Sequence, residues 1–221
     1  GIQHLFKKNN ITVLEGTAKL LPNKHVEVTM VDGNTQIIQA NHIILATGSH
    51  SRELPNLKQD GKKIIGYREA MTLTTLPKSM VVVGSGAIGT EFAYFYNTLG
   101  VEVTLVEFMP QIMPLEDAEV SATLGRSFKK NKMKVMLDSA VEEVDTSGER
   151  CKVTIKTKKG VEIIEADIVL SAVGIESNIT NLGLEELGVT IEKNKIAVNN
   201  YYQTNVEGIY AIGDIVQGPA L

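Results

Sequence analysis

The sequence predicts an α/β fold built on a parallel sheet, and three observations carry that expectation. Between residues 80 and 136, strand-like apolar runs alternate with helix-period runs in the order strand, helix, strand, helix, strand. The first run, Met80-Val81-Val82-Val83, is apolar at every position, as a strand covered on both faces must be. A glycine-rich turn, Gly84-Ser85-Gly86-Ala87-Ile88-Gly89, leads straight from it into the first of the two helices. Right-handed crossovers are expected for such connections.

Taken in chain order, helices are expected at about residues 1–8, 87–99 and 115–131. The chain begins on Gly1 rather than Met and runs at once into helical text, which predicts a piece cut from a longer protein. Strands at 26–31 and 35–39 flank Asp32-Gly33-Asn34, a hairpin signature, and a further strand is expected at 42–46. Residues 51–63, with Pro55, Asn56, Gly61 and scattered charges, read as a surface linker. Strand 80–83 and the glycine turn follow, then a helix whose apolar face is expected at Ile88, Phe92, Phe95, Tyr96 and Leu99 and which Gly100 stops. Strand 101–106 precedes the helix at 115–131. That helix should end in the basic run Lys129-Lys130-Asn131-Lys132-Met133-Lys134, where cations meet the negative end of the helix dipole. A strand at 133–136, a hairpin of 151–157 with 161–165 about Lys158-Lys159-Gly160, and strands at 168–173 and 208–212 complete the reading.

Composition narrows the function classes. The 221 residues, 43% hydrophobic and 22% charged, are enough to bury a core without disulfide staples, and neither disorder nor a membrane class is suggested. No apolar run approaches the roughly 20 residues that span a bilayer, and no signal segment opens the chain, so a cytoplasmic or matrix-like setting without membrane attachment is expected. A formal net charge of −4 gives no footing for nucleic acid. The lone cysteine lies in Cys151-Lys152-Val153-Thr154-Ile155, alternating like a strand, and reads as a packed thiol. His4, His25, His42 and His50 read as surface or strand residues. No catalytic residue and no metal-ligand set is expected in this chain.

The glycine turn is where the chemistry is legible. A bare Gly-x-Gly-x-x-Gly is a weak signal, but here it joins a buried strand to a helix, and an acid, Glu107, closes the next strand 18 residues beyond Gly89. In that geometry Gly84 permits the tight turn, Gly86 lets backbone approach a pyrophosphate, and Gly89 lets helix and strand pack closely. The amides and dipole of the helix start favour phosphate. Glu107 would accept from both ribose hydroxyls of an adenosine and repel a 2′-phosphate. No Arg or Lys follows in Phe108-Met109-Pro110-Gln111, so NAD is expected rather than NADP. Glu91, read as lying in the first helical turn, has a sufficient structural role there, stabilising the dipole by roughly 0.3–1 kcal/mol.

Gly84-Ser85-Gly86-Ala87-Ile88-Gly89-Thr90-Glu91 resembles the NAD loop of the pyridine nucleotide–disulfide oxidoreductases, which pair it with an FAD domain. Ile44-Leu45-Ala46-Thr47-Gly48-Ser49 resembles the segment where the chain leaves that domain, and Ile209-Tyr210-Ala211-Ile212-Gly213-Asp214 the segment where it returns. The resemblance implies a Rossmann-like NAD(P)-binding domain inserted in a discontinuous FAD-binding domain. Residues 1–65 would be part of the FAD domain with its linker, 66–195 the NAD domain, and 196–221 the returning FAD segment. It implies that Thr47, Gly48 and Ser49 lie against FAD, with Ala18 near the adenine side and Asp214 on the ribityl chain. At the NAD site it adds Glu91 at the nicotinamide end, Val141 beside the adenine and Gly174 near the nicotinamide ribose. Val141 reads equally as core. Within the family, Asn181-Leu182-Gly183-Leu184-Glu185-Glu186-Leu187-Gly188-Val189 and Glu107 look most like the branch that oxidises dihydrolipoamide. Ile175-Glu176-Ser177-Asn178 departs from the basic, proline-containing pattern usual after Gly174.

The resemblance implies that the full-length enzyme, a homodimer, passes electrons from dihydrolipoamide of a lipoylated protein through a disulfide and FAD to NAD. This chain lacks the amino-terminal FAD glycine loop, the cysteine pair and the carboxy-terminal domain of that pattern, so alone it is expected to be inactive. An NADH-dependent peroxide, disulfide or mercuric reductase, or a non-catalytic NAD-binding module, are the alternatives left open.

Overall fold

In the computed structural model, which describes residues 1–218, the chain forms two units: Gly1–His50 together with the residues from Glu176 onward, and Ser51–Ile175. The split unit opens with α1 (Ile2–Lys8), β1 (Gly16–Leu21), β2 (His25–Met30), β3 (Thr35–Gln39) and β4 (Ile43–Leu45). The chain leaves it along β5 (Ser49–Ser51). The continuous unit then holds β6 (Ile64–Ile65), α2 (Tyr67–Ala70), β7 (Ser79–Val83), α3 (Ala87–Thr98), β8 (Glu102–Val106), α4 (Ala118–Lys130), β9 (Lys134–Met136), β10 (Ala140–Asp145), β11 (Cys151–Thr157), β12 (Gly160–Ala166) and β13 (Ile168–Ser171). The chain returns along β14 (Ile175–Ser177) to β15 (Ile191–Glu192), β16 (Lys195–Ile196) and β17 (Ile209–Ala211) of the split unit.

In the Ser51–Ile175 unit a five-stranded sheet runs in the order β6-β13-β7-β8-β9, with every pair parallel. Period-2 alternation splits β7 between two cores. Met80 and Val82 join Ala93, Tyr96, Leu105 and Phe128 under the helices, while Val81 and Val83 join Leu57, Cys151, Val153 and Ile155 under the antiparallel β10-β11-β12 meander. Both faces are therefore covered, which is why the run had to be wholly apolar. Asp117 caps α4, accepting from the N–H groups of Glu119 and Val120, and Lys129 and Lys130 occupy its last turn. That cap starts the helix at Ala118, later than the sequence period suggested.

Two expectations change here. The buried face of α3 is Gly89, Thr90, Ala93 and Tyr96, whereas Phe95 and Leu99 are half exposed. The close helix–strand approach at Gly89 rotates small residues inward. Residues 51–63 are more than a surface linker. Leu57 is buried at 1% exposure, and Asp60 accepts from the N–H groups of Lys62, Lys63 and Ile64, fixing the turn into β6. The two units divide between His50 and Ser51 and between Ile175 and Glu176. Leu57, Ile64 and Ile65 pack into the cores of the sheet unit, while Ile179, Leu184, Val189 and Ile196 pack with Leu20, Ile43 and Ile209 in the other.

In that other unit β1-β2-β3 form an antiparallel sheet, and β4 pairs in parallel with β17. The β2–β3 hairpin turns where Asp32 accepts from the N–H of Asn34 and Gly33 adopts φ +86°.

Candidate functional site

The strand order β9-β8-β7-β13 places the point at which the topology reverses between β7 and β13. In open α/β sheets, ligands bind outside the carboxyl ends of the strands at such a point. The glycine turn leaves β7 there. Gly84 has φ +97°, and a Cβ on it would lie 2.4 Å from the Ala172 carbonyl oxygen just beyond β13. A Cβ on Gly89 would lie 1.9 Å from the Gly84 carbonyl oxygen and 3.3 Å from the Ala172 side chain, so the first turn of α3 sits directly on the strand ends. Gly86 differs from both. As N-cap of α3 it is exposed, a Cβ there would meet nothing within 4 Å, and no side chain caps the helix. The turn thus leaves open space in front of a row of amides at the positive end of the helix dipole.

Glu107 follows β8 on the same sheet edge and is buried at 7% exposure. Its Oε2 accepts from the N–H and from the hydroxyl of Ser85, both at 2.7 Å, and its Oε1 accepts from the Met109 N–H at 2.8 Å. Its backbone carbonyl accepts from the Ser139 N–H, which brings the loop leading to Val141 to the same edge. Val141 is half-buried in β10, and Asn56 donates to its carbonyl oxygen at 2.7 Å. Gly174, φ +113°, is exposed just beyond β13. The structure therefore gathers Gly84, Ser85, Gly86, Ala87, Glu107 and the approach to Val141 around one edge.

Several side chains of the loop turn inward. Ser85 is fully buried. Thr90 is buried, its hydroxyl donating to the carbonyls of Gly86 and Ala87, and Ile88 packs against the core beneath α3. Glu91 is the fifth residue of the helix, beyond the first turn, so the dipole account given for it does not hold. It stands exposed.

The second cluster lies in the other unit. Ser49, buried, donates from Oγ to Asp214 Oδ2 at 2.6 Å, and the Asp214 carbonyl accepts from Ser177 Oγ and from Lys195 Nζ. Thr47 Oγ1 donates to the Asn178 carbonyl at 2.6 Å, Asn178 Nδ2 donates to the Thr47 carbonyl at 3.0 Å, and Asn178 N–H donates to the carbonyl of Gly48, which has φ +70°. The departing Thr47-Gly48-Ser49 and the returning Asp214 are thus joined directly. Ala18 is exposed on β1, in the separate antiparallel sheet.

Sequence reasoning missed Asn178 and Ser177, while His50 is the exposed strand residue expected. His50 Nδ1 lies 2.6 Å from Asn178 Oδ1, and its Nε2 is 3.8 Å from a Glu176 carboxylate oxygen. The signal was present in the departure Ile175-Glu176-Ser177-Asn178: Glu176 and Asn178 engage residues 47–50, and Ser177 donates to the Asp214 carbonyl.

A parallel α/β sheet with this turn at its switch point, an uncapped helix start and a buried strand-end acid is the architecture of dinucleotide-type α/β proteins. The family model described as pyridine nucleotide-disulphide oxidoreductase matches residues 1–221, and the chain belongs to that family. It is 39% identical over 222 residues to a dihydrolipoyl dehydrogenase of Zymomonas mobilis, covering 100% of this chain and 48% of that protein. Among solved structures, LpdA from Mycobacterium tuberculosis superimposes with a TM-score of 0.90 at 30% identity, covering 100% of this chain and 49% of that one. The HOCl-induced flavoprotein disulfide reductase RclA from Escherichia coli superimposes with a TM-score of 0.82 at 22% identity, covering 100% and 51%; this likeness is one of fold. The chain spans about half the length of the relatives it matches. Pyridine nucleotide and flavin use is what the family implies. No helix among the described residues is long and apolar enough to cross a membrane.

Proposed function

We propose that this chain is the NAD-binding core, with flanking parts of an FAD-binding domain, of a dihydrolipoamide dehydrogenase. The single observation that carries the reading is Gly86: an open, side-chain-free position heading an uncapped helix at the switch point, with the Glu107 carboxylate on the same sheet edge. The residues fit the cofactor. Amides of Gly86, Ala87 and Ile88 would face the pyrophosphate, Glu107 would accept from the adenosine ribose, Val141 would border the adenine, and Gly174 and Glu91 would flank the nicotinamide end. A fixed carboxylate at the ribose disfavours a 2′-phosphate, so NAD is chosen over NADP.

In the whole enzyme, electrons would pass from dihydrolipoamide of a lipoylated protein through a disulfide and FAD to NAD, and two subunits would form a homodimer. The nicotinamide accepts hydride, and this chain's residues bind, orient and discriminate. Thr47, Gly48, Ser49 and Asp214 would line part of the FAD site, with Ala18 toward its adenine; a cytoplasmic setting accords with that activity. The test is Gly86→Ala, which fills the open space. NADH affinity, read by fluorescence titration, should fall at least about tenfold while the melting temperature stays unchanged. Undiminished NADH binding would place the phosphates elsewhere and end this reading.

A further inference from the structure

Three of the roughly four acceptor directions of the Glu107 carboxylate are taken within the chain. Both donors to Oε2 come from Ser85, one from its backbone and one from its hydroxyl, and one direction on Oε1 is left for a ligand, room for one ribose hydroxyl rather than the two expected from the sequence. Ser85 is 0% exposed, so its hydroxyl faces Glu107 rather than the open side of the turn. Ser85 Oγ is the single side-chain donor to this carboxylate among the described residues. The turn itself does not need it. Gly84 N–H donates to the Val106 carbonyl, and the Ser85 carbonyl accepts from Met113 N–H, so backbone bonds hold the loop on either side.

Resting on the NAD reading above, we propose that Ser85 is a positioning residue that acts through Glu107 to set ribose recognition. With the hydroxyl in place, Oε2 is saturated and the carboxylate is pinned at both oxygens, with one acceptor direction presented to the adenosine ribose. Without it, Oε2 keeps a single donor and the carboxylate gains freedom about its last torsion. Contact with the ribose hydroxyl then becomes less well organised, while a 2′-phosphate, which never gained from that contact, is little affected. The residue at the middle of the turn thereby controls cofactor choice without touching the cofactor.

The experiment is a double-mutant cycle read as NADH and NADPH affinities of the 221-residue chain, with melting curves alongside. Ser85→Ala should weaken NADH by about three- to tenfold, the range set by losing one hydrogen bond, and leave NADPH unchanged. In a Glu107→Ala background the same substitution should change neither affinity. A role confined to the shape of the turn would instead lower both affinities together and persist without Glu107. An unchanged NADH-to-NADPH ratio in Ser85→Ala, or a loss that survives in Glu107→Ala, would overturn the proposal while leaving the NAD reading standing. If the starting chain bound no NADH, that reading would fall, and this inference with it.

Discussion

Gly86 and Gly89 stand in one turn and respond to a Cβ in opposite ways. At Gly86 there is nothing to meet, so an alanine there interferes with a ligand and not with the fold. At Gly89 the same atom would lie 1.9 Å from a backbone oxygen. Gly89→Ala should therefore destabilise the chain by at least about 1–3 kcal/mol, as overpacking does, seen as a lower midpoint in denaturant. An unchanged midpoint would mean that α3 does not rest on the strand ends. Cys151 offers a second check: it is fully buried, its Sγ 3.9 Å from the carbonyls of Lys63 and Asp167, and burial pushes its thiol above the ordinary cysteine range. The thiol should react with a disulfide reagent only as fast as the protein opens. Prompt labelling of the folded chain would contradict that burial. The glycines and Cys151 were legible in the sequence because spacing and alternation are local. The anchoring of Glu107 by Ser85 was not, since only the parallel pairing of β7 with β8 brings residues 22 apart into contact.

At the scale of elements, regular periods were readable and irregular ones were not. β11 follows strict alternation and pairs with β12 without a register shift, and the hairpin turn narrows to Lys158-Lys159 because Gly160 already pairs with Thr157. β10 escaped notice because a register shift between Val141 and Glu143 breaks the period-2 spacing of its apolar residues, Val141 and Val144. For the same reason Val141 was readable equally as core and as site. Where β13 begins, Asp167 accepts from the N–H groups of Lys78 and Ser79 and pairs with Arg150 at 3.3 Å. Burial works to raise its pKa, but the two amides and the guanidinium outweigh it, and the carboxyl is held below the ordinary aspartate range. A carboxylate depressed in the folded state stabilises fully above its unfolded pKa, and that contribution is lost as pH falls through the folded value. Asp60, opposed by its own burial yet lowered by three amides, behaves in the same way. Stability of the chain should therefore decline as pH falls below about 4, the ordinary aspartate value. Asp167→Asn should be less stable at neutral pH, with a shallower acid limb. Parallel stability curves for the two proteins from neutral pH downward would refute this assignment.

For the whole molecule, the fold class followed from the order of elements, but the core that each flanking segment joins did not. Nothing in the local text of residues 51–63 or 178–196 says which core Leu57 or Ile196 joins; that is decided by partners far along the chain. The chain holds Thr47, Ser49 and Asp214 together, yet a few contacts do not offset the cost of ordering a ligand as large as FAD. Produced alone, the chain should be colourless and should not oxidise dihydrolipoamide, because one cysteine cannot cycle between dithiol and disulfide. Retained flavin absorbance or NAD-dependent oxidation of dihydrolipoamide would overturn that expectation. The central claim, that the switch-point turn and Glu107 form an NAD-selective site, is tested most directly by titrating the chain with NADH and with NADPH. It predicts tighter binding of NADH and a preference that shrinks in Glu107→Ala, whereas equal affinities in the starting protein would contradict it.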